Sequence, residues 1–120
     1  MIRNILFVGM GGAVGSMLRY GISLLTAAMH GPATIATLAV NIIGSLVLGL
    51  LTATCGQGSL MLFATVGVCG GFTTFSTFSV QSVALLQQGR YVMGALYIFS
   101  TLVCCLLCTL LGCWLGQRLK

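Results

Sequence analysis

Four apolar stretches, each long enough to cross the hydrocarbon core of a bilayer as a helix, take up nearly the whole of this chain. They run from about Ile5 to Ala28, Ala33 to Thr54, Leu60 to Leu86 and Tyr91 to Leu115. Between them lie only His30-Gly31-Pro32, Gly56-Gln57-Gly58-Ser59 and Gln87-Gln88-Gly89-Arg90, with Gly or Pro breakers at lengths that suit antiparallel helix hairpins. The pattern predicts an all-α membrane protein, a single four-helix transmembrane domain over residues 1–120 running up, down, up and down. The first stretch continues past a signal-peptide core with glycines and an arginine inside it, and is expected to be a retained span.

Charge narrows the chemistry further. The chain has no Asp or Glu and five Lys or Arg, and is 58% hydrophobic, where a soluble domain gives roughly a quarter of its residues to charge. Without a carboxylate there is no general acid/base pair, no calcium or magnesium cage and no Ser-His-Asp relay, so an enzyme is not expected. Arg3, Arg19, Arg90, Arg118 and Lys120 are scattered singly rather than clustered as a nucleic-acid footprint would be. The cysteines at 55, 69, 104, 105, 108 and 113 follow no secretory cleavage pattern, and most sit in one apolar segment, so they read as small hydrophobes rather than a disulfide framework. Cys105-Leu106-Leu107-Cys108 is nominally CxxC but has no His or acidic neighbour. Gly9 to Gly15 fails the dinucleotide pattern, because Val14 stands at the third glycine and no strand precedes it.

In an up-and-down topology Arg3, Arg118 and Lys120 share one side with the second connection, while Arg90 lies opposite. Such weak asymmetry favours cytoplasmic termini and is also what insertion in both orientations requires. Four helices this short cannot enclose a wet pathway and still shield their polar groups from lipid, so an oligomer is expected. Small residues four apart, at Gly11/Gly15, Gly12/Ser16, Ser45/Gly49, Gly67/Gly71 and Gly112/Gly116, allow close backbone approach, either between chains or inside one bundle.

Polar groups at membrane depth mark the candidate site. In the second span Thr34, Thr37, Asn41, Ser45 and Thr52 fall within an arc of about 80° at helical periodicity. A lone hydroxyl there usually bonds its own backbone, but Asn41 brings two donors and an acceptor near mid-span, suited either to conduction or to an interhelical hydrogen bond. In the third span two glycines, Gly70 and Gly71, precede a run of hydroxyls and aromatics through Ser79, so a broken helix is expected. A break at this depth is tolerated only where protein, water or an ion meets the freed backbone groups, which makes it either a transport site or a plain kink. Phe75 and Phe78 share a face beyond it, with Ser76 and Thr77 interleaved; the ring edges offer an anion weak attraction, or the rings simply pack. Arg19 either snorkels to a helix end or lines a vestibule. In the fourth span Gly94, Tyr97, Thr101, Cys104, Cys108, Gly112 and Gly116 share an arc that reads as a packed face with a polar element.

With Gly11-Gly12-Ala13-Val14-Gly15 and Arg19-Tyr20, then Thr37-Leu38-Ala39-Val40-Asn41 with Gly44-Ser45, then GVCGGFTTFSTF from Gly67 to Phe78, the chain resembles the Fluc-type fluoride channels, the CrcB family, over nearly its whole length. The resemblance implies an antiparallel, dual-topology homodimer with two pores in the cell (inner) membrane, passive fluoride-selective export that protects from fluoride toxicity, and a structural sodium ion at the dimer centre. By motif it implies that Asn41, Phe75 and Phe78 contact fluoride, that Ser76 and Thr77 extend a hydroxyl track, and that the Gly70 and Thr73 carbonyls hold sodium. Arg19 matches the family's membrane arginine. Three positions depart from the pattern: Ala36 replaces a glycine, Gln81 stands where a glutamate commonly follows, and Cys105 occupies a place suited to a hydroxyl, leaving Thr109 as the last polar rung. The residues support the same reading independently, because a sodium site without carboxylates must use backbone carbonyls and a broken helix supplies them. A small multidrug exporter of similar length needs a membrane carboxylate that is absent here. A non-transporting assembly subunit would explain the glycines but not the hydroxyls at the break.

Overall fold

The computed structural model describes residues 1–54 and 56–120, so Cys55 lies outside the described residues. Helix α1 covers Ile2–Ala28 and α2 covers Ala33–Thr54. The third span, Ser59–Gln87, is assembled from pieces: α3 (Ser59–Leu62), a π-helical stretch (Phe63–Cys69), α4 (Gly70–Phe72) and, after Thr73 and Thr74 in extended conformation, α5 (Phe75–Gln87). Helix α6, Tyr91–Leu119, closes the chain. All four spans are long and apolar enough to cross a membrane. At 1.5 Å per residue α1 is about 40 Å long, more than a hydrocarbon core of about 30 Å, and the molecule measures 47 Å along its longest axis.

Burial follows a hydrocarbon solvent. Large aliphatic side chains such as Leu24, Val80, Leu106 and Leu110 face outward, while Thr37, Asn41, Ser82 and Thr101 are buried. Because lipid tails solvate leucine as well as another leucine does, helix contact must come from close packing and polar bonds instead.

That packing uses the glycines in two seams. Along α1, a methyl group built on Gly11 or Gly15 would collide with the Phe63 or Val68 carbonyl, and one built on Gly71 would meet Gly12. Between α2 and α6, a methyl on Gly49 would strike the Thr109 carbonyl and one on Gly112 the Leu46 carbonyl. The pairs Gly11/Gly15, Gly67/Gly71 and Gly112/Gly116, with Gly49, therefore serve contacts inside the chain, whereas a methyl on Gly12 would meet nothing and Ser16 is exposed. The turn from α5 to α6 places Gly89 at φ +76° and closes Arg90 N–H on the Leu85 carbonyl at 3.0 Å, a helix ending that glycine accommodates without strain.

Candidate functional site

The interruption of the third span is held open by α2. Thr73 N–H still donates to the Cys69 carbonyl at 3.0 Å, as in a helix. The next donor, Thr74 N–H, turns instead to Asn41 Oδ1 at 2.8 Å, and Asn41 Nδ2 donates to the Thr74 carbonyl at 3.1 Å. One side-chain amide thus satisfies both backbone groups of the residue where the helix stops. In an unbroken helix Thr74 N–H would bond the Gly70 carbonyl; its diversion leaves that oxygen without its helical donor.

Thr74 also starts the next helix. Its Oγ1 accepts from Thr77 N–H at 3.2 Å, the side-chain cap that threonine commonly provides, and the hydroxyl donates to Thr77 Oγ1 at 3.1 Å. On the other side of the break, Arg19 Nε donates to the Gly71 carbonyl at 3.0 Å. A cation there meets the negative end of a helical segment. The break therefore falls at Thr73–Thr74, just past the glycines, which remain helical; of the two, Gly71 packs against Gly12 of α1 and Gly70 does not.

Around this junction lies a cleft of about 310 Å³. Helix α2 contributes Asn41 and Ser45, the break contributes Thr73 and Thr74, α5 contributes Phe75 and Phe78, and α6 contributes Thr101, Cys105 and Thr109. A second cavity of about 100 Å³ is lined by Arg19, Ser23, Thr37, Thr74 and Thr77. Thr74 borders both. The residues singled out in the sequence are thus divided, with Asn41, Phe75, Phe78 and Thr109 in the larger cleft and Arg19 and Thr77 in the smaller. Ser76 is exposed, its hydroxyl 3.3 Å from Thr74 Oγ1, and Gly70 is exposed on the outer face of the third span.

The aromatic rings form a short series. Phe75 and Phe78 have centroids 5.4 Å apart, and Phe78 and Tyr97 5.3 Å apart, both tilted. Such pairs add about 0.5–1.5 kcal/mol beyond their burial. Tyr97 extends the series by donating its hydroxyl to Gln81 Oε1 at 2.7 Å. Phe78 is buried, whereas Phe75 is 72% exposed, at the open side of the cleft.

Thr101 was not legible as part of this cleft, since its helical spacing marked it only as packing. It is 5% exposed and its Oγ1 has no hydrogen-bond partner. Thr109, by contrast, donates to the Cys105 carbonyl at 2.9 Å. Leaving a buried hydroxyl unpaired costs about 1–3 kcal/mol. Among the described residues no group of three His, Cys, Asp or Glu is placed to hold a metal.

Four apolar spans whose polar side chains gather at an interrupted helix, with no ionisable pair among them, define a multi-pass membrane protein built around a neutral polar cleft. Residues 6–113 match the family described as "CrcB-like protein, Camphor Resistance (CrcB)", and the chain belongs to this CrcB family. It is 43% identical to the fluoride-specific ion channel FluC of Ruminiclostridium cellulolyticum, over 97% of this chain and 94% of that one. It is also 39% identical to the protein of the same name from Agrobacterium fabrum, over 97% and 98%, and 38% identical to that of Bacteroides fragilis, over 99% and 100%. These relatives are named as ion channels, not enzymes.

Proposed function

We propose that this chain is a fluoride-selective ion channel giving passive export across the cell (inner) membrane. The observation that carries the proposal is the cleft at the broken third span, lined by an amide, hydroxyls and two phenylalanines in a chain without a single acidic side chain. Fluoride holds water tightly, so a pathway must replace hydration with several modest donors; a fixed charge at each step would hold the ion too firmly to release it. Thr101 and Ser45 are neutral donors of this kind, and Phe75 and Phe78 bring ring edges. Arg19, at the smaller cavity, would draw anions toward the vestibule, with Thr77 beside it and Ser76 and Thr109 extending the polar route.

The working form is an antiparallel homodimer surrounded by lipid, each copy a single four-helix domain. The open side of the polar cleft supports this, because a second copy would shield its hydroxyl-bearing lining from lipid. The Gly70 and Thr73 carbonyls would hold a sodium ion at the dimer centre. The fit is chemical: they are hard oxygen donors, and Gly70 has lost its helical donor to the Asn41 bond. When bound, the ion would neutralise the carbonyl dipoles of the paired helix ends.

The test is fluoride efflux from proteoliposomes. Purified protein is expected to release fluoride rapidly and chloride hardly at all, and Phe75→Ile or Phe78→Ile to slow the release. Liposomes that stay inert would end this reading.

A further inference from the structure

Every cation of this chain lacks an acidic side chain to pair with, since the sequence has no Asp or Glu. Arg19 turns to a backbone carbonyl. Arg118, near the end of α6, lies instead over the ring of Trp114 one helical turn back, with its guanidinium carbon 4.7 Å from the centroid. The stack sets the orientation of the guanidinium, whose forked N–H donors match a phosphate.

Helix length puts this pair at the membrane boundary. The 29 residues of α6 span about 43 Å at 1.5 Å each. That is about 13 Å more than the hydrocarbon core, so a centred helix carries about four residues beyond it at each end. Arg118 is among those residues and Trp114 sits just inside, the level where indole rings gather. Leu107 and Leu111 continue the same stripe inward: with Trp114 and Arg118 they fall within an arc of about 60°, and all four are exposed. The arc lies roughly opposite Leu102, Cys105, Leu106 and Thr109, which face the cleft, and away from Gly112 and Gly116, which meet α2. A second copy placed over the cleft leaves this stripe to lipid.

We propose that the stripe seats an anionic phospholipid, its phosphate on Arg118 and an acyl chain along Leu107 and Leu111. Charge complementarity selects the occupant. A phosphatidylcholine headgroup carries its own ammonium, which offsets its phosphate. Phosphatidylglycerol brings a net negative charge to a helix end that also holds exposed Lys120. The seat is independent of the fluoride route.

Trp114 is the single tryptophan of the chain, so its fluorescence reports on this stripe alone. Protein is reconstituted into phosphatidylcholine bilayers with increasing fractions of phosphatidylglycerol brominated near the top of its acyl chains, and in parallel with equally brominated phosphatidylcholine; bromine quenches an indole it touches. Quenching is expected to favour phosphatidylglycerol roughly fivefold, about what one surface cation adds against anionic lipid. Arg118→Gln is expected to bring the two lipids level. Arg3→Gln, at the same membrane face, and Arg90→Gln, at the other end of α6, are expected to keep the preference. Native protein quenched equally by both lipids overturns the proposal without recourse to any variant, and so does a preference that survives Arg118→Gln. Equal loss in all three variants overturns it as well, by showing diffuse charge rather than a seat. Relief of quenching by excess inorganic phosphate would make the ligand a free anion and reject the lipid.

Discussion

Asn41 joins two helices through a single amide, and its substitution should reveal how much of the break depends on it. Asn41→Ala leaves the Thr74 N–H and C=O without their partner, at a cost of about 1–3 kcal/mol for each buried group. Unfolding in detergent should therefore shift to lower temperature, and fluoride efflux should fall with it. Tyr97→Phe is milder: it removes the donor to Gln81 Oε1 and should cost about 0.5–1.5 kcal/mol in the same unfolding assay. The importance of Asn41 was legible in the sequence because an amide at mid-span is expensive to leave unpaired. Its partner was not, because nothing local says which backbone a long-range amide will meet. Thr101 was hidden for a related reason. Thr65, Ser82 and Thr109 all bond back to the carbonyl four residues earlier, and only the tertiary structure shows that Thr101 does not.

Among the elements, the third span departs most from a simple helix. Its glycines signalled weakness, but the chain breaks after them because Gly67 and Gly71 are committed to α1 while Asn41 draws Thr74 away. The π-helical turn from Phe63 to Cys69 had no sequence signal, since its residues are ordinary apolar and small types. The small-residue spacing identified the surfaces of close approach, yet could not say whether the partner was another helix of this chain or a second copy. That assignment gives a paired test. Gly112→Ala sets a methyl against the Leu46 carbonyl and should destabilise by about 1–3 kcal/mol. Gly9→Ala, with nothing within 4 Å of the added carbon, should be neutral or stabilise by up to about 1 kcal/mol through helix propensity. Thermal unfolding of both variants in one detergent makes the comparison.

Across the whole molecule, polarity is distributed inside out relative to a soluble protein, with leucines outward and hydroxyls inward. The four spans were legible from apolar length alone. The cleft was legible only as a set of residues, because its shape depends on how α2, the break and α6 meet. The sparse charges lead to a prediction at this scale: a reporter fused after Lys120 should be found on both faces of the membrane in whole cells, and strict single-sided labelling would refute dual insertion.

Thr74 forms a wall common to the larger and smaller cavities. A residue that both cavities share need only rotate its side chain, on the picosecond-to-nanosecond scale, to alter both, whereas rigid-body rocking of whole helices takes microseconds to milliseconds. Throughput should accordingly persist when the surrounding bilayer is cooled into its gel phase, a condition that stalls carriers dependent on large-scale alternation.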